Sequence, residues 1–286
     1  MFIGTDKLTH TYMPGTPYAA EALKEVTFSL QRGDFALIIG PSGSGKSTLI
    51  QHLNGLLKPT SGQVFFEDQT VGSDKTGLLL LRRRIGLVFQ MPEDQFFSES
   101  VYDEVSFAPR NLGLGEDEIR SRVIDALEKV GLDAEQLQDR HPFQLSAGQK
   151  RLVAIAAVLS LNPEVFILDE PTSGLDPAGR KNLFNLLKML NRTAGLTVIV
   201  STHHLDDVAE LADRVIVLQR GRLLMEGMTK EVFARRNELY DLGLALPEAT
   251  EIMYGLAEKG LPVRTDIYNL AGARKEINKL RGRGKK

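Results

Sequence analysis

Residues 35–49 read FALIIGPSGSGKSTL, an apolar run that breaks into glycine and then into a helix-forming stretch. Phe35–Ile39 has the length and unbroken hydrophobicity of a buried strand, and Gly33-Asp34 before it marks a turn. Lys46–Leu57 carries helical spacing. Between them, Gly40-Pro-Ser-Gly-Ser-Gly-Lys-Ser47 fits G-x-x-x-x-G-K-[ST] at the strand-to-helix junction where that pattern has a mechanism. Glycines at 40, 43 and 45 let backbone N–H groups turn inward, and the helix opening near Lys46 aims the positive end of its dipole at the same point. A glycine-rich turn without a ligand is the bland alternative, but the whole pattern and both flanking elements agree on a phosphate cradle. Its residues are Gly40, Pro41, Ser42, Gly43, Ser44, Gly45, Lys46, Ser47 and Thr48. Lys46 is expected to hold the β- and γ-phosphates of a nucleotide, and the Ser47 hydroxyl to face Mg²⁺, a hard ion that prefers oxygen.

Outward from this loop, Leu23–Leu30, Val64–Phe66 and Ile85–Phe89 read as further strands, and their alternation with helix predicts an α/β sheet. From about Pro92 to Pro163 the pattern is helical, with Ile119, Val123, Ala126, Leu127 and Val130 at helical spacing and a second helix across Gly148–Leu161. Strands return at Val165–Leu168, Thr197–Val200 and Arg214–Leu218, separated by helical stretches at Ala178–Leu190 and Leu205–Leu211. The expected organisation is a core over 1–230 with a helical subdomain inserted at about 92–163. A C-terminal accessory domain over 231–286 ends in the basic tail LRGRGKK, read as a solubilising end rather than a lipid contact.

Bulk composition narrows the function. The 286 residues suit one domain of about 200–250 residues with a small appendage. A formal charge of −2 gives no general attraction to nucleic acid. With no cysteine, disulfides and thiolate zinc sites are excluded, and the start MFIGTDKLTH lacks the apolar core of a secretory signal. The longest apolar run, Leu152–Leu161, is far short of the roughly 20 residues that span a bilayer, so a membrane attachment would come through partners. The expected location is the cytoplasmic face of the cell membrane, held peripherally.

Phe166-Ile-Leu-Asp-Glu170 is an apolar strand ending in two acids, which sets carboxylates at the mouth of a parallel sheet where ligands sit. Asp169 is assigned to the Mg²⁺ shell and Glu170 to polarising the attacking water as general base. At this point the chain resembles the ATP-binding-cassette (ABC) ATPases over nearly its whole length. Leu145-Ser-Ala-Gly-Gln149 resembles the family signature, Ser173-Gly-Leu-Asp176 its D-loop, Gln90 its Q-loop glutamine, His203 its switch histidine and Tyr12 its adenine-stacking aromatic. The resemblance implies the P-loop ABC ATPase fold with a mixed core sheet. It also implies that Gln90 contributes to the metal and that His203 assists catalysis. The signature residues Ser146, Ala147, Gly148 and Gln149, with the D-loop Asp176, would serve the ATP of a second subunit stacked head to tail. Family members usually carry glycine where this chain has Ala147, whose methyl crowds the approach of a phosphate. Either Tyr12 or Tyr18 could be ordinary packing; Tyr12 is favoured, on the expectation that a loop holds it.

Within that family, Val88-Phe-Gln-Met-Pro-Glu-Asp-Gln95, Phe107-Ala-Pro-Arg-Asn-Leu-Gly113 and Leu239-Tyr-Asp-Leu-Gly-Leu-Ala-Leu-Pro247 resemble the ATPases of energy-coupling factor (ECF) transporters, particularly the second subunit type. That resemblance implies import of a vitamin or transition-metal ion. The partners would be a second ATPase, as heterodimer rather than homodimer, a membrane scaffold, and a substrate-binding membrane subunit. Glu93, Asp94, Asp103 and Glu104 read equally as a solvated acidic face or as a dock for scaffold arginines. The rival reading is a soluble ABC ATPase of DNA maintenance or translation; a third is a regulatory nucleotide-binding module without turnover.

Overall fold

A computed structural model describes residues 1–71, 75–203, 205–206 and 209–283. The chain begins with an antiparallel pair, β1 (Ile3–Tyr12) and β2 (Ala20–Leu30), in which Tyr12 pairs with Ala20. Tyr12 is therefore the last residue of a strand, not a loop residue as expected; its neighbour Tyr18 lies in the connection and is exposed. β3 (Phe35–Ile39) follows and is buried throughout, leading into α1 (Lys46–Leu53), shorter than the expected Lys46–Leu57. β4 (Ser61–Phe66) and β5 (Gln69–Thr70) complete a four-stranded antiparallel sheet in the order β2-β1-β4-β5. α2 (Lys75–Arg84), in a stretch read as a polar connection, then delivers the chain to β6 (Ile85–Val88).

The helical insertion starts with a 3₁₀ turn at Pro92–Gln95 and continues through α3 (Val101–Asn111), α4 (Glu116–Lys129) and α5 (Ala134–Leu137) to α6 (Ala147–Leu159). On α4, Ile119, Val123, Ala126 and Leu127 are buried, the inward stripe that the helical spacing requires. β7 (Val165–Asp169), α7 (Pro177–Ala194), β8 (Thr197–Thr202) and β9 (Arg214–Gln219) return to the core, and β10 (Arg222–Met228) hairpins onto β9. A helix was expected over Leu205–Leu211; its described residues form turns, and His204 lies outside the described residues.

These strands make a six-stranded sheet in the order β10-β9-β3-β8-β7-β6, parallel except for the antiparallel edge strand β10. The sheet is thus mixed, as expected. Its pleat separates two cores: Phe35, Leu37 and Ile39 face the cluster that includes the inserted helices, while Ala36 and Ile38 face the antiparallel sheet and α1. Burial on both faces explains why β3, β7 and β8 read as continuous apolar runs.

At the C-terminal side, α8 (Thr229–Ala234) and α9 (Arg236–Asp241) still belong to the main core through Val232, Phe233 and Leu239, as do Leu244 and Leu246. The division drawn at residue 230 falls inside α8. α10 (Glu248–Glu258) and α11 (Leu270–Arg283) pack on each other around Ala249, Met253 and Ala273. No helix among the described residues is long and apolar enough to cross a membrane.

Candidate active site

The carboxyl ends of β3, β6, β7 and β8 lie side by side or nearly so, and each releases a residue singled out from the sequence. β3 opens into Gly40–Gly45, β6 into Gln90, β7 ends on Asp169 with Glu170 next, and β8 delivers His203. Such an edge gathers ligand groups because every strand presents its last residues to one crevice.

The loop is fixed from behind and open in front. A Cβ on Gly40 would stand 2.2 Å from the Leu218 carbonyl oxygen, so only glycine lets the loop pass under β9. A Cβ on Gly43 would meet nothing within 4 Å, which marks the open, ligand-facing side. Gly221 N–H donates to the Ser44 carbonyl at 2.9 Å and ties the loop to the β9–β10 turn. Ser44 Oγ is buried with no hydrogen-bond partner among the described residues, a polar group that an anion in the cradle would satisfy.

Lys46 is only 8% exposed, and its Nζ donates to the Gly40 carbonyl at 2.8 Å and the Pro41 carbonyl at 3.2 Å. Burial pulls its pKa below the usual lysine value, while the carboxylates of Glu170 and Asp169 act in the opposite direction. Ser47 is exposed at the start of α1. Thr48 instead turns to the core, where its hydroxyl meets the Tyr12 hydroxyl at 3.1 Å. The Tyr12 ring lies edge-on to His10, with centroids 4.5 Å apart, and is exposed.

Asp169 is buried, and the Ser201 hydroxyl donates to its Oδ1. Glu170 holds a positive φ of 45°, sparsely populated for a residue with a side chain. Its N–H is shared between the Ser201 carbonyl (3.1 Å) and the Ser201 Oγ (3.2 Å), which pins the turn that throws its carboxylate over the loop. There Glu170 Oε1 lies 2.9 Å from His203 Nδ1 and 3.9 Å from Lys46 Nζ. Glu170, His203 and Lys46 are thus collected by three strands around one point. Ser201, not anticipated from the sequence, organises both acids because it pairs with Asp169 across β7 and β8.

The oxygen donors suit a hard divalent cation: the exposed Ser47 hydroxyl, the Asp169 carboxylate and the side-chain carbonyl of the exposed Gln90. No group of three or more His, Cys, Asp or Glu able to hold a metal exists among the described residues, so such a cation would need phosphate oxygens as well.

The signature stands apart. Ser146 caps α6 and forms a reciprocal capping box with Gln149, through Gln149 N–H to Ser146 Oγ at 3.3 Å and Ser146 N–H to Gln149 Oε1 at 3.1 Å. Ser146, Ala147 and Gly148 are exposed. Among the described residues, no hydrogen bond or ion pair joins these residues to the phosphate loop. Asp176 caps α7 by accepting from Gly179 N–H at 2.7 Å.

Two acids read as surface docking groups turn inward instead. Glu104 is buried, and its Oε2 accepts from the N–H groups of Phe97 (3.2 Å) and Ser98 (3.0 Å). Glu93 is paired with Arg151 on α6 at 3.0 Å. Asp103 is engaged by Arg110 at 2.9 Å and by the Ser100 hydroxyl, interactions that hold its carboxyl below the ordinary aspartate value. Of the four, Asp94 is exposed and has no salt bridge among the described residues. The same stretch and α3 also expose apolar groups, Met91, Phe97 and Phe107, with the two phenylalanine rings 4.7 Å apart.

The family model described as "ABC transporter" matches residues 23–173. An energy-coupling factor transporter ATP-binding protein (EcfA2) of Clostridioides difficile is 49% identical over 286 residues, covering 99% of both chains. Among solved structures, cbiO1 of Clostridium perfringens, described as part of the ABC transporter complex cbiONQ, superposes with a TM-score of 0.75. It is 42% identical over 88% of this chain and 98% of that one. A dimeric ATP-binding cassette in a post-hydrolysis state bound to ADP and Pi superposes with a TM-score of 0.71, at 33% identity over 80% of this chain and 99% of that one.

Proposed function

The chain belongs to the ATP-binding subunits of ABC transporters, in their energy-coupling factor group, and is an ATP hydrolase; from that premise we propose that it drives an ECF-type importer as one half of a two-site ATPase. The observation that carries the proposal is the convergence of Glu170, His203 and Lys46 over the phosphate loop, 2.9 Å and 3.9 Å from one carboxylate oxygen.

In this mechanism ATP enters the cradle, and Lys46 exchanges its two loop carbonyls for β- and γ-phosphate oxygens. Glu170 accepts a proton from water as the water oxygen bonds to the γ-phosphorus, and the bridging oxygen leaves with ADP. His203, with its hydrogen on Nδ1 towards Glu170, fixes the carboxylate's direction. Mg²⁺, held by Ser47, Asp169 and Gln90, would supply charge neutralisation on the phosphates. The exposed helix N-terminus at Ser146–Gly148 is suited to the γ-phosphate bound by a partner ATPase, since the Ala147 and Gly148 N–H groups have no hydrogen-bond partner among the described residues and the positive end of the α6 dipole lies there. Two chains stacked head to tail would then bury two nucleotides, and Ala147 would test how closely the phosphate approaches.

The cargo proposed is a vitamin or a transition-metal ion, handed over by a substrate-binding membrane subunit through a membrane scaffold. A heterodimer with a different ATPase is favoured over a homodimer, and the cytoplasmic face of the membrane over free solution. The relatives' names support the transport reading. The exposed Met91, Phe97 and Phe107 offer the scaffold an apolar foothold beside Gln90, which replaces the acidic dock expected at Asp103 and Glu104. The test is a mild-detergent affinity capture of this chain from its native membranes, with mass identification of what is retained. A second ATPase, a scaffold and a small membrane protein are the expected yield; soluble proteins or nucleic acid alone would sink the transport assignment.

A further inference from the structure

Arg151 lies on α6, five residues beyond Ser146, and its side chain is almost wholly buried. Its guanidinium reaches three acceptors on two other segments of chain. Nη1 donates to the Pro171 carbonyl at 3.0 Å, and Nη2 donates to the Ser173 carbonyl at 3.2 Å and to Glu93 Oε1 at 3.0 Å. Pro171 and Ser173 belong to the turn that follows Glu170 directly, and Ser173 N–H closes that turn on the Glu170 carbonyl at 3.2 Å. Glu93 sits in the 3₁₀ turn that follows Gln90. One buried cation thus clamps the signature helix, the loop behind the catalytic base and the segment behind the Q-loop glutamine.

We infer that Arg151 is a positioning residue that couples the signature helix, which serves the partner's nucleotide, to Glu170, which acts on this chain's own. The inference rests on the two-site reading above. A buried guanidinium that loses a partner costs far more than a surface pair, so a displacement of one of the three segments is passed to the others. The clamp also has an unused valence. Arg151 Nε and Glu93 Oε2 are buried without hydrogen-bond partners among the described residues. A slide of the Pro92–Gln95 turn along the guanidinium would let Glu93 grip Nη2 and Nε together, the side-on bidentate geometry, and the guanidinium would turn with it, changing its bonds to the Pro171 and Ser173 carbonyls. Motion at Gln90 would thereby loosen or tighten the turn carrying Glu170, and the same bonds would transmit a pull on α6 from the far nucleotide.

The experiment compares Arg151→Lys, Glu93→Gln and the double variant in the full chain assembled as its ATPase dimer, with ATP and Mg²⁺. A lysine keeps the charge but lacks the planar fork whose two nitrogens reach the three acceptors from separate points. Glutamine keeps one acceptor but cannot grip two guanidinium donors. Arg151→Lys is expected to lower kcat about tenfold with KM changed less than about twofold, and to bring the Hill coefficient for ATP towards 1. Glu93→Gln is expected to act in the same direction, and the double variant to be no worse than Arg151→Lys. ATP binding by calorimetry should be retained throughout. Wild-type kcat and cooperativity in both single variants would overturn the inference. So would strictly additive losses, or a loss of turnover matched by lost ATP binding and a lower Tm, the mark of a purely structural residue. Glu170→Gln run alongside separates the two claims: if it turns over normally, the catalytic reading fails whatever Arg151 does.

Discussion

The parallel strands that carry the chemistry end very differently at their two ends. At the amino ends, Arg32 before β3, Arg84 before β6 and Glu164 before β7 meet Glu67 in a closed ring of four ion pairs that uses all four carboxylate oxygens. Arg32 also covers the Phe2 ring at 4.1 Å and Arg84 the Phe66 ring at 4.5 Å, which staples the two sheets together. At the carboxyl ends, Glu170 sits at positive φ, Ser44 Oγ lacks a partner among the described residues, and Lys46 occupies itself with loop carbonyls. One end is saturated and the other holds unspent bonding capacity. The physical lesson is that the same strands are anchored where nothing reacts, so that strained and under-bonded groups are tolerated where a ligand arrives.

The contrast breaks most visibly at Glu170. Glu170→Gln is expected to lower kcat about a thousandfold while leaving ATP affinity and Tm close to native, because it removes a proton acceptor and keeps the shape. Steady-state ATPase with parallel calorimetry checks it, and a variant within a few-fold of native turnover would remove Glu170 from the base role.

An intermediate effect is expected from His52, in the last turn of α1, the helix whose other end forms the phosphate cradle. Burial first, and the nearby His10 second, push its pKa from 6.5 down to about 4. The folded chain therefore disfavours protonated His52, so its contribution to stability is fully present above pH 6.5 and is lost as pH falls from there towards 4. Replacement by glutamine should flatten the stability–pH curve in that window by on the order of 2 kcal/mol. Denaturant melts at several pH values measure this, and parallel curves for the two proteins would show that His52 titrates normally.

The smallest change belongs to the saturated end. These ion pairs are partly exposed and screened by solvent, so Arg84→Met is expected to lower Tm by only about 2–4 °C with ATPase activity unchanged. Arg84 is the main cause that holds the Glu67 and Glu164 carboxyls below their ordinary value of 4.5. Their stabilising share is present above that value and is lost as pH falls through the lowered ones; the variant should therefore show less acid sensitivity below about pH 4.5. A large drop in turnover would mean that the two ends are not independent.

How much of this was legible in the chain depends on how far apart the interacting residues are. The cradle, the Asp169-Glu170 pair and the signature are contiguous words whose chemistry follows from adjacency, and β3 and β7 announce themselves because burial on both faces leaves an unbroken apolar run. β1 was not read because its segment IGTDKLTHTY places Asp6 and Lys7 at its middle, where the β1–β2 and β1–β4 pairings shift register. β10 was missed because an edge strand with one solvated side lacks that run. Glu93 looked like a solvated face because its partner Arg151 is 58 positions away, whereas Asp103 and Glu104 are engaged by near neighbours, Ser100, Arg110 and the backbone of Phe97 and Ser98, through a turn that linear spacing does not reveal.

The sequence by itself determined the fold class, the order of the motifs and the kind of reaction, since each rests on a few consecutive residues whose backbone freedom, charge and hydrophobic run are local properties. Only the tertiary structure decided which groups meet: Ser201 with both acids, His203 with Glu170, and Arg151 with two segments beyond its own helix. Those contacts depend on which strands lie side by side and on what a helix buries, and these are set by the packing of the whole chain.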